Sequence, residues 1–119
     1  MNIIIVRVLA LVFILCAMSF EAFAYGFISS AKVVQVRIDQ DGRGMVIFDK
    51  AVGNEPPSCI HAAAYSNALE FDTRTPGGNA IMALALTAKS SNQLLSVYGS
   101  GRCEIYGGHV EDWSYGVVH

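Results

Sequence analysis

Cys59 and Cys103 are the residues best suited to chemistry, and each has a histidine near it: Cys59-Ile60-His61, and Cys103 followed by His109. Three chemistries use such residues. A thiolate beside an imidazole is a nucleophile, two thiolates with two imidazoles hold zinc, and two thiols in an oxidising compartment form a disulfide. The nucleophile needs a free thiolate and an orienting group, and nothing local supplies one. The zinc set has the right donors, but C-x-H and C-x5-H are not the spacings of structural zinc modules. The compartment therefore decides.

The first residues indicate that compartment. Met1 to Arg7 carries one charged side chain, Val8 to Met18 (VLALVFILCAM) is unbroken apolar sequence, and Ser19 to Ala24 ends in Ala22-Phe23-Ala24. A charged end, a short apolar core and a small-x-small site are the order of a secretory signal peptide, expected to be cleaved after Ala24. The apolar run is short against the roughly 20 residues that span a bilayer. Cys16 lies inside that run after Leu15, which is too large for a lipid-attachment site, so it leaves with the leader. Residues 1–24 are thus read as signal peptide and residues 25–119 as one domain, periplasmic or extracellular, with no membrane contact after cleavage. Cys59 and Cys103 then have only each other, and a Cys59–Cys103 disulfide is expected. A loop of that length gives about 4 kcal/mol in chain-entropy terms.

Other reactive groups are less telling. Glu70 with Asp72, and Glu111 with Asp112, are acidic pairs. Glu70 and Asp72 are two apart on a strand and share a face, which is expected to be solvated. Gly77-Gly78 at a helix start lacks the rest of a phosphate loop. His119 is the last residue of the sequence. No catalytic constellation, metal set or cofactor site is legible, and the expectation is a non-catalytic protein. The formal net charge is −2, unlike the basic face that nucleic acid or anionic membrane attracts.

The elements that must position these residues can be read in order. Tyr25 to Ala31 is a lead-in. Lys32 to Asp39 (KVVQVRID) alternates, with Val34, Val36 and Ile38 on one face. Asp41-Gly42 is a hairpin turn, and Met45 to Asp49, apolar on both faces, returns as a central strand. Pro56-Pro57 breaks pairing. Cys59 to Tyr65 is taken as a short strand or extended segment anchored by the disulfide. Ala68 to Asp72 follows, with Leu69 and Phe71 inward and Glu70 outward. Thr75 as N-cap, Pro76 at the first helical position and Asn92 as left-handed C-cap bound a helix. Ile81, Leu84, Ala85 and Ala88 form its apolar stripe, widened by Met82 and Leu86, so that it should be substantially buried. Gln93 to Tyr98, Arg102 to Tyr106 and His109 to Val118 are strands, with Arg102 and Glu104 opposite Cys103, and with Trp113, Tyr115 and Val117 on one face. The expected class is α+β: a small antiparallel OB-like barrel or curved sheet with one buried helix.

The leader, KVVQVRID with its return GMVIFD, Cys59, the helix NAIMALALTAKSSNQ running into LLSVYGSG, and Cys103 close behind it are similar to short exported bacterial proteins related to the binding subunits of subtilase-type AB5 toxins. That resemblance implies an OB-type barrel, ring-shaped oligomers and glycan recognition. The chain is shorter than those subunits, and their sugar-contacting serine has no counterpart that can be placed. Tyr106, Trp113 and Tyr115, on the last two expected strands, are the residues proposed for a ligand or partner surface, with Trp113 alternatively in the core. The function expected is a binding module with a glycan or protein partner; the alternative is a structural or assembly protein of the bacterial envelope.

Overall fold

The computed structural model of the chain describes residues 2–7, 24–60 and 63–119. Residues 2–7 are helical. The apolar core of the expected signal peptide, and its cleavage motif apart from Ala24, lie outside the described residues, as does His61.

The domain is α+β. Its strands are β1 (Gly26–Ala31), β2 (Val33–Ile38), β3 (Arg43–Phe48), β4 (Gly53–Asn54), β5 (Ala68–Asp72), β6 (Leu95–Gly99) and β7 (Glu111–Val118). One helix, α1 (Pro76–Ser91), lies between β5 and β6, and a 3₁₀ turn spans Ala63–Tyr65. The strands form one sheet in the order β2-β3-β5-β7-β6-β1-β4. The sheet is mixed rather than antiparallel, because β5 and β7 run parallel. After α1, β6 takes the chain back beside β7, and β7 re-enters next to β5 in the direction of β5.

The expected lead-in is a strand. Tyr25-Gly26-Phe27 gives little alternation, but Gly26, Ile28 and Ala31 are buried, and β1 pairs with β6 on one side and β4 on the other. Lys32 alone separates β1 from β2, yet β2 pairs with β3 at the other end of the strand order. One bent stretch of chain therefore touches both halves of the sheet. Ser30, at φ 50°, lies in the bend, and the Lys50 ammonium donates to the carbonyls of Ser29 and Ser30 at 2.9 and 3.1 Å.

Gly42, at φ 92°, turns β2 into β3 as its place after Asp41 predicts, and β3 lies between β2 and β5. The alternation of β2 is broken, however. The β2–β3 register shifts between Val33 and Gln35, so Val34 is an extra, exposed residue and Val33 is the buried one. Ile38 is exposed as well.

Helix α1 starts and stops where its caps require. The Thr75 hydroxyl accepts from the Gly78 N–H at 3.0 Å, and the N–H of Asn92, at φ 54°, returns to the carbonyls of Ala88 and Lys89. Ala85 and Ala88 are fully buried, with Ile81, Met82 and Leu84 packed around them. Leu86 is exposed, so the buried stripe is narrower than expected. The stripe covers Phe48, Phe71, Leu69, Leu95, Val97 and Trp113. Burying each of these large side chains stabilises the fold by roughly 1.5–3 kcal/mol.

Two segments, one expected as a strand or extended segment and the other as a strand, carry no strand pairing, as far as their residues are described. Cys59 sits in a turn, and in the second segment Arg102 and Cys103 have no regular structure and residues 104–107 form a turn. Glycines at both ends of the second segment (Gly101, Gly107 and Gly108) take positive φ and bend it away from β6.

Candidate functional site

The Cys59–Cys103 disulfide is formed, with Cα atoms 6.1 Å apart. It fastens a segment without strand pairing, and carboxylates do the rest. The N–H groups of Ile105 and Tyr106 each donate at 3.1 Å to one oxygen of Glu70, and that of Glu104 donates to Asp112 at 3.0 Å. Glu111 accepts from Gly26 at 2.9 and 3.0 Å and from Gly101 at 3.3 Å. Three acidic residues thus serve as backbone anchors for the disulfide loop and for the start of β1.

Glu70 corrects the expectation of a solvated acidic face: it is fully buried, and its partner is Asp112 rather than Asp72. The loop lies over the second face of β5, so a strand read as half-buried is buried on both sides. The parallel register pairs Glu70 with Asp112 across β5 and β7. Desolvation, and then the hydrogen bond and charge of Asp112, push the Glu70 carboxyl up to about 9, which favours its neutral form. A raised carboxyl contributes full stability below its unfolded value and loses it as pH rises through the folded one. Urea denaturation is therefore expected to show falling stability from about pH 5 to about pH 9, a slope that Glu70→Gln flattens. Glu111, raised first by burial against the pull of the Gly26 and Gly101 N–H groups, accounts for the remaining slope. A slope unchanged by Glu70→Gln would refute the assignment.

The outer face of β1, β6 and β7 carries a stack of aromatic rings. Phe27 lies on Tyr98 at 4.5 Å between centroids, and Tyr98 on Tyr115 at 4.3 Å. Tyr115 is 53 % and Tyr25 44 % exposed. Tyr25, Tyr98, Gly99 and Tyr115 line a shallow recess of ≈ 260 Å³. Tyr25 and Gly99 also line a larger open cleft of ≈ 760 Å³, which runs between the start of α1 and the disulfide loop past Asp72, Glu104, Asp112 and Ser114. An aromatic floor and a polar trough thus adjoin, and share two residues.

The three aromatics singled out in the sequence are not one surface. Tyr115 is in the stack. Trp113 is 7 % exposed and packs on Phe48 at 6.0 Å. A bulge at Ser114 separates the two: Gly99 faces Trp113 while the next residue back, Tyr98, faces Tyr115, so Trp113 turns inward and Tyr115 outward. Tyr106 sits half-buried in the disulfide loop, where its hydroxyl donates to Asp39 and the Arg43 and Arg37 guanidiniums lie 4.8 and 5.7 Å from its ring centre. Burial and Asp39 raise its pKa. Tyr25, Tyr98 and Phe27 were missed; the alternation of Tyr25 with Phe27 before KVVQVRID was the available signal.

Arg102 and Glu104 are exposed and approach each other at 4.0 Å. His119 is exposed, with its Nε2 2.6 Å from the Ser96 hydroxyl, and His109 lines a small recess beside Tyr106. Among the described residues, no group of three His, Cys, Asp or Glu side chains could hold a metal ion, and no helix is long and apolar enough to cross a membrane. In comparisons with known proteins, no family model, curated protein or solved structure matches the chain.

Proposed function

We propose that the chain is an exported, non-catalytic binding module that takes a glycan on its tyrosine face, built on an OB-type barrel and assembling into rings like the binding subunits of subtilase-type AB5 toxins. The observation that carries this reading is the stack of Tyr98 and Tyr115 beside Tyr25, continuous with a polar cleft. A sugar ring has an apolar C–H face that suits an aromatic floor, and hydroxyls that suit the Asp112 carboxylate and the Ser114 hydroxyl at its edge.

The barrel reading draws on the bend at Lys32. Counted as one strand, β1 and β2 link both halves of the sheet, leaving five principal strands with the helix before the fourth. The disulfide is compatible with an oxidising compartment, which is where the leader would send the chain. A second reading, an envelope assembly protein, draws on β2, an end strand whose Val34 and Ile38 are exposed.

A glycan array probed with the oxidised protein tests the lectin reading, and light scattering tests the ring. Tyr115→Ala is expected to weaken glycan binding by about tenfold or more, because aromatic anchors dominate such contacts. Its urea midpoint should barely move, since the ring is half exposed. Binding unchanged in Tyr115→Ala would move the site off this face; no glycan bound and a monomer would favour the assembly reading.

A further inference from the structure

Among the described residues, the buried acids beside the cleft have no cation against them. Glu111, fully buried, is held by N–H groups, and Glu70, fully buried, accepts from the N–H groups of Ile105 and Tyr106 and is paired across the strands with Asp112. The guanidinium lining the cleft, that of Arg102, is exposed and turned toward Glu104.

The expected cleavage point lies against this cluster. The Gly26 N–H donates to both Glu111 oxygens, and Gly101, which also donates to Glu111, packs against the Ala24 carbonyl so closely that a Cβ there would sit 2.5 Å from that oxygen. The Tyr25 carbonyl is fixed by the Asn54 amide at 3.2 Å. The Ala24–Tyr25 peptide bond is thereby held beside Glu111, and the Tyr25 nitrogen lies within about 4 Å of the Gly26 nitrogen.

We infer that processing after Ala24 supplies the missing cation: the new Tyr25 α-ammonium docks on the Glu111 carboxylate at the mouth of the cleft. Hydrolysis of the amide adds water across the C–N bond. The water oxygen goes to Ala24, which leaves with a carboxylate, and both water hydrogens end on the Tyr25 nitrogen, which becomes an ammonium and loses the carbonyl that had lain on Gly101. Glu111 keeps the Gly26 and Gly101 N–H groups and gains an ion pair beside them, and Asp112 and Glu104 at the cleft see the same positive charge. Among the described residues, the Asp72 carboxyl and the hydroxyls of Tyr25, Tyr98 and Tyr115 are further titratable groups on this side. Maturation then both removes the leader and completes the fold at the edge of the tyrosine face.

This rests on the leader reading, and the experiment separates the two. Four chains are compared: the full precursor, a chain beginning at Tyr25 with a free amine, the same chain acetylated at Tyr25, and the free-amine chain with Glu111→Gln. The rate at which a neutral amine-reactive reagent labels the Tyr25 amine at neutral pH is read along with the urea midpoint. The free amine is expected to be labelled about tenfold more slowly than in Glu111→Gln, and its chain to unfold at higher urea than the acetylated one, with the precursor resembling the acetylated chain. Equal labelling rates with equal midpoints would overturn the docking. Mass spectrometry of the exported protein reports separately whether it begins at Tyr25.

Discussion

Replacing Cys59 and Cys103 together with serine is expected to lower the unfolding free energy by about 4 kcal/mol. The bond spans a sequence separation of 44 residues, and a cross-link over such a loop acts mainly by narrowing the unfolded ensemble. Domains of this size are typically stable by only about 5–15 kcal/mol, so the change is a large share of the total. The loop should suffer first. Cys103 immediately precedes a turn held otherwise by Glu70 and Asp112 through the N–H groups of Ile105, Tyr106 and Glu104. Urea denaturation of the oxidised protein and the double-serine variant measures the difference, and hydrogen exchange should show the N–H groups of residues 104–106 losing protection before the sheet does. A loss below about 1 kcal/mol would show that the acid anchors alone hold the loop.

Gly99→Ala has the second large effect. A Cβ at this position would stand 1.6 Å from one Glu111 oxygen and 2.0 Å from its carboxyl carbon. The carboxylate cannot swing aside without leaving Gly26 and Gly101, whose N–H groups it holds in a buried place. Either the glutamate loses those partners or β6 separates from β7, and each outcome costs about 3 kcal/mol or more. The cause can be isolated with a double-mutant cycle. Glu111→Ala alone leaves two N–H groups unpaired and is destabilising, but it also removes the atoms that the methyl group introduced by Gly99→Ala would strike. The two changes together should therefore cost clearly less than their sum. Strict additivity would place the strain elsewhere.

The parts of this fold that are legible in the sequence are the locally determined ones. Thr75, Pro76 and Asn92 mark the ends of α1 because capping is a contest between a side chain and its own neighbouring N–H and carbonyl groups. Asp41-Gly42 marks the hairpin for a similar reason. The disulfide follows from the expected leader and a count of the cysteines outside it. Whatever depends on the other side of the sheet is not legible. Glu70 alternates with Leu69 and Phe71 as a solvated residue would, and only the folded-over disulfide loop makes its site a buried one. Trp113 and Tyr115 are two apart and read as face-mates until the bulge at Ser114, which exists only in the pairing of β7 with β6, sends them to opposite faces. The tyrosine face combines β1, β6 and β7, strands far apart in the chain, so no single stretch announces it.

The claim that the tyrosine face takes a glycan is tested most directly by NMR. Backbone amides of the oxidised mature protein are followed while a glycan selected on the array is added. The account predicts shifts concentrated at Tyr25, Tyr98 to Ser100 and Asp112 to Tyr115, the residues around the shared edge of recess and cleft, and their disappearance in Tyr115→Ala at the same glycan concentration. Shifts centred instead on the Arg37–Tyr106 side, or a Tyr115→Ala spectrum that responds as the unaltered protein does, would contradict it.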